Sequence, residues 1–164
     1  MTEQTQQLVT KLAEQLTARG EKLATAESCT GGLIAKTLTD LAGSSDWFDR
    51  GFVTYSNAAK TEMISVPALV IEQYGAVSEP VVNAMVTGAL KHSAADYAIA
   101  VTGVAGPGGG SAEKPVGTVW IGVGSKNQLI ARKYVFPGDR DAVRQATLVT
   151  ALESLEAMLG IGGN

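Results

Sequence analysis

Hydrophobic positions in this chain recur with two periods, and the switches between them mark its elements. Leu8, Leu12, Ala13 and Leu16 share one stripe of a helix predicted over Glu3–Arg19, which Gly20 stops. Lys22–Ala26 loses that spacing and reads as a short buried strand. Helical spacing returns at Leu33, Ile34, Leu38 and Leu41, predicting a helix from Gly31 to Leu41 that Ala42-Gly43 closes. Gly51–Tyr55 alternates in size and predicts a second strand. Ser56 or Asn57 can cap a short helix that continues through Met63 and Ile64. Pro67 opens another over Ala68–Tyr74, ended by Gly75, and Ser78-Glu79-Pro80 starts a third with Val81, Val82, Met85, Ala89 and Leu90 on its apolar face.

Tyr97–Thr102 is apolar almost throughout, as suits a strand buried on both faces. Gly117–Val123 and Gln128–Phe136 pair as a hairpin that turns around Gly124–Asn127. Asp139 caps a last helix reaching about Leu159, with Leu148, Leu152, Leu155 and Leu159 on its buried side, and the tail Gly160–Asn164 is expected to fray. Helices and strands in this order predict an α/β fold: a three-layer α/β/α sandwich around a mixed sheet, in one domain over residues 1–164.

Composition narrows the function. Hydrophobic residues make up 45% of the chain, charged residues 18%, and the formal net charge is −3. A general nucleic-acid binder would carry the opposite sign. No apolar run reaches membrane-span length, and the polar start of the chain lacks the parts of a signal peptide. Cys29 is the only cysteine and His92 the only histidine, so neither a disulfide nor a Cys/His metal site is expected. The expected compartment is the cytoplasm.

The candidate chemistry lies where strands end. Glu27-Ser28-Cys29-Thr30-Gly31-Gly32 joins the first strand to a helix, Tyr55–Lys60 follows the second, and Thr102–Gly110 follows the apolar strand. Parallel strands would bring these segments to one edge of the sheet. Ser28 or Thr30 can be no more than an N-cap. Ser28 can also be a nucleophile, with main-chain N–H groups at Gly31 or in Gly103–Gly106 receiving an oxyanion. His92, near a helix end, is a surface residue in this reading, so the base must be another group. Lys60 is the natural choice, because a desolvated lysine loses its proton near neutral pH, and Tyr55 can relay one. Cys29 is a rival nucleophile without an evident base. Gly103–Gly110 is either a crossover or a ligand loop. Arg140 and Arg144, one turn apart, are either a solvated face or a phosphate grip. Trp47-Phe48 is a core plug, a substrate wall or a subunit contact.

Taken together, these segments resemble the CinA C-terminal domain family. The likeness rests on Ala26–Gly32, Gly43-Ser44-Ser45 with Trp47-Phe48, Val53–Asn57 with Lys60, Gly75–Val81, Thr102–Pro107, Lys114–Val119, and Gly138-Asp139-Arg140 with Arg144. It spans nearly the whole chain and is nearest to the family's stand-alone amidohydrolase form. The resemblance implies deamidation of nicotinamide mononucleotide to the nicotinate nucleotide and ammonia, within pyridine-nucleotide salvage. It also implies a homodimer that works without metal or cofactor. It assigns Ser28 as nucleophile with Tyr55 and Lys60 as activating partners. Substrate contacts are expected from Thr30, Gly31, Asn57, Thr102, Gly103, Ala105, Gly106, Arg140 and Arg144. The alternative is a non-catalytic nucleotide- or pterin-binding module.

Overall fold

The computed structural model describes residues 1–161. Its elements in chain order are α1 (Glu3–Arg19), β1 (Leu23–Glu27), α2 (Leu33–Thr39), β2 (Phe48–Val53), α3 (Asn57–Ile64), α4 (Ala68–Tyr74), α5 (Glu79–Lys91), β3 (Tyr97–Gly103), β4 (Thr118–Gly124), β5 (Leu129–Val135) and α6 (Arg140–Leu159). A short 3₁₀ turn, Ser44–Asp46, precedes β2. The strands form one mixed sheet in the order β2-β1-β3-β4-β5. β1 pairs in parallel with β2 and β3, while β4 and β5 are the antiparallel hairpin. One apolar cluster joins α1, α2 and α6 to one face of the sheet, and a second joins α3, α4 and α5 to the other. The predicted three-layer α/β/α arrangement results.

β1 and β3 are buried along nearly their whole length because helices cover both faces. β2 is an edge strand, and its start lies three residues before the predicted Gly51. The polar pair Asp49-Arg50, the first half-buried and the second exposed, hides the strand from an alternation search. Thr54 and Tyr55 fall beyond its end. α2 begins at Leu33 rather than Gly31, because Gly31 and Gly32 take φ of 57° and 103°, outside the helical region. Trp47 is 2% exposed and packs edge-on against the half-buried Phe48, as the core-plug reading expects of Trp47. At the C-terminus, Gly160 closes α6 in the left-handed conformation and Ile161 packs on the core. The rest of the expected fraying tail, 162–164, lies outside the described residues.

Candidate active site

The C-terminal ends of β1, β2 and β3 share one edge of the sheet, with Glu27 in register with both Val53 and Val101. β2 and β3 flank β1, so the crossovers from β1 to β2 and from β2 to β3 pass on opposite faces. Ligands in open α/β sheets bind outside the strand ends at such a switch point. Ser28 lies at these ends, one residue past β1.

Lys60 meets Ser28 there. α3 starts at Ser56, whose hydroxyl accepts from the Ala59 N–H, and this cap sets Lys60 on the first turn with its side chain buried at 1% exposure. The Lys60 Nζ lies 3.0 Å from Ser28 Oγ, 3.0 Å from the Thr54 carbonyl and 3.3 Å from the Tyr55 carbonyl. Three acceptors suit the three N–H bonds of an ammonium. They suit the neutral amine equally well: two N–H bonds serve the carbonyls and the lone pair takes the Ser28 proton. With Lys60 charged, the Ser28 hydroxyl has its own acceptor, the Tyr55 carbonyl at 3.4 Å. A proton can therefore pass between these groups without leaving either unsatisfied. Among the described residues no carboxylate forms an ion pair with Lys60. Burial draws its pKa below the ordinary lysine value.

Cys29, the rival nucleophile, is held as a thiol. Burial pushes its thiol up to about 11, with the Glu27 carboxyl adding to the rise. His92 sits at the C-terminal end of α5, where its Nε2 is 2.7 Å from Ser65 Oγ, and it forms no hydrogen bond with Ser28.

The turn after Ser28 is held by a residue the sequence reading passed over. Glu27, 1% exposed, reaches forward across the turn. Its Oε1 accepts from Thr30 Oγ1 at 2.6 Å, Gly32 N at 3.2 Å and Ile34 N at 2.9 Å, and its Oε2 accepts from Ala35 N at 2.9 Å. Neither Ser28 nor Thr30 is the N-cap of α2; Gly32 occupies that position without a side-chain bond. The Gly31 N–H, expected to be open, is committed to the Ser28 carbonyl at 3.1 Å. The N–H groups of Cys29 and Thr30 have no partner in another described residue and remain as donors.

Two arginines of α6 tie the three strand-end segments together. Arg144 Nη2 donates to the Thr30 carbonyl at 3.1 Å. Arg140 donates from Nη1 to the Gly106 carbonyl at 2.8 Å and from Nη2 to the Tyr55 hydroxyl at 3.5 Å. The pair is thus engaged at the strand ends rather than being a free solvated face. The Tyr55 ring is 61% exposed and its hydroxyl faces Arg140, so it is the main-chain carbonyl of Tyr55 that bonds Ser28 and Lys60. Thr102 is buried and donates to the Ala76 carbonyl at 2.9 Å. Gly103 packs so closely on β4 that an added Cβ would stand 2.6 Å from Val119 Cγ2. Ala105 belongs to the core cluster that includes Cys29. Asn57 is exposed on the first turn of α3.

The model of the CinA C-terminal domain family matches residues 5–159. The chain belongs to this family. It is 55% identical over 150 residues to the nicotinamide-nucleotide amidohydrolase PncC of Escherichia coli strain K12, covering 91% of each chain. It is 51% identical over 148 residues to the protein of the same name from Pseudomonas putida, covering 90% of this chain and 92% of that one. Among solved structures, the competence/damage inducible protein CihA from Agrobacterium tumefaciens superposes with a TM-score of 0.94 at 45% identity, covering 98% of both chains. The CinA family fold is therefore shared over nearly the full length.

Proposed function

We propose that this chain is a nicotinamide-nucleotide amidohydrolase that deamidates nicotinamide mononucleotide through Ser28, with Lys60 as its base. One observation carries the mechanism: the 3.0 Å contact between a buried lysine amine and the Ser28 hydroxyl. The high identity to relatives named for this reaction supports the substrate.

Neutral Lys60 takes the Ser28 proton as Oγ adds to the carboxamide carbon. The carbonyl oxygen becomes an oxyanion, for which the Cys29 and Thr30 N–H groups are the available donors; one such donor is worth roughly 3 to 4 kcal/mol in measured cases. The C–N bond breaks as protonated Lys60 returns its proton to the amine, and ammonia leaves. Lys60 then deprotonates a water molecule that cleaves the Ser28 ester, releasing the nicotinate nucleotide and restoring the hydroxyl. Arg140 and Arg144, which bond the strand-end segments, would hold the phosphate. The Tyr55 ring, beside Arg140, borders the same approach. The enzyme acts without metal, as a cytoplasmic homodimer in pyridine-nucleotide salvage.

Purified protein should release ammonia from nicotinamide mononucleotide in the presence of a chelator, and sediment at twice the 16.9 kDa chain mass. Ser28→Ala should abolish release. Nucleotide binding without ammonia would favour the non-catalytic module, and full turnover by Ser28→Ala would remove Ser28 from its role.

A further inference from the structure

A buried carboxyl is an expensive way to cap a helix. Serine or threonine at the N-cap meets the same N–H groups without desolvating a charge. Here the N-cap is a bare glycine, and the acceptor comes from Glu27, five residues earlier at the end of β1. This arrangement does something a local cap cannot. The Glu27 side chain fixes Thr30, Gly32, Ile34 and Ala35, which lie beyond Ser28. The Glu27 main-chain carbonyl fixes the other partner, accepting from Thr54 N at 2.7 Å and from Thr54 Oγ1 at 3.2 Å. Thr54 in turn supplies one of the carbonyls that hold the Lys60 amine. One residue therefore spans the nucleophile's turn and the base's support. It takes up the Gly32, Ile34 and Ala35 donors, while the Cys29 and Thr30 N–H groups bond no other described residue.

We propose that Glu27 is a positioning residue for the hydrolysis: it sets the Ser28 turn against the Lys60 amine and does not itself touch substrate. The inference rests on the amidohydrolase reading.

Glu27→Gln is the test. The amide keeps the size of the side chain but turns one acceptor into a donor that faces another N–H. Displacing reacting atoms by ~1 Å costs about 100-fold in rate. The variant should therefore lose about 100-fold in kcat for ammonia release, with KM within about 2-fold of wild type, since no substrate contact is removed. Thr30→Val, which deletes only the hydroxyl bonded to Glu27, is a milder companion that keeps the question answerable if the first variant fails to fold. It should lower kcat in the same direction, again with KM nearly unchanged. Wild-type kcat in a folded Glu27→Gln protein, whatever its melting temperature, would make Glu27 a helix cap only and overturn the proposal. So would a wild-type kcat in Thr30→Val, or losses that fall on KM instead. A wild-type enzyme that releases no ammonia would refute the amidohydrolase reading itself, so the two failures are distinguishable.

Discussion

Lys60 shows how one side chain can serve the proposed chemistry at a cost in stability. Its amine is buried with neutral partners only, and burial draws its pKa down. The sign of the stability effect follows from linkage. Between the lowered folded-state pKa and the ordinary lysine value, the unfolded chain holds a proton that the folded chain has lost. Stability from this group is therefore complete above the unfolded value and is lost as pH falls through the folded one. Wild type should gain stability relative to Lys60→Met as pH rises from about 7 to about 10, read by urea unfolding at each pH. A flat difference would mean that Lys60 keeps an ordinary pKa, and a falling one that folding raises it; either would contradict the lowered value. Little of this was legible from residue type. A lysine after a strand suggested a base, but not that the carbonyls of Thr54 and Tyr55 leave the ladder to hold it. Glu27 went unnoticed because an acid at a strand end resembles any surface acid. Only the fold shows four donors converging on it.

At the scale of elements, α3 is placed by its contact with α5. An added Cβ on Gly88 would stand 1.9 Å from the Ile64 carbonyl oxygen, at the end of the helix that carries Lys60. Gly88→Ala favours a helix by about 1 kcal/mol through propensity, yet it must push α3 outward, an overpacking that costs about 1–3 kcal/mol. The variant should melt lower than wild type by a few degrees and lose more activity than that change alone explains. Higher stability with full activity would show that α3 moves freely without disturbing Lys60. The sequence predicted each helix and strand described here. It misplaced the boundaries of α2 and β2, where glycines with positive φ and an exposed polar edge override hydrophobic periodicity.

In the whole molecule, topology does what no single segment can. The order β2-β1-β3 gathers the ends of three parallel strands, and α6 returns from the far end of the chain to brace them with Arg140 and Arg144. The convergence of the three strand-end segments could be anticipated from their shared position after parallel strands. The state of each polar group could not, because it depends on which donors the packing spends: Gly31 N–H on Ser28, Thr102 on Ala76, Arg144 on Thr30. The proposed chemistry depends on the paired Ser28 and Lys60. The most direct test is the rate of labelling by a serine-reactive fluorophosphonate, with the modified residue mapped by mass spectrometry in wild type and in folded Lys60→Met. The expected result is a single adduct on Ser28 in wild type and labelling slowed by about 100-fold or more in the variant, in the range expected for loss of a general base. An adduct on another residue, or equal rates in the two proteins, would contradict it.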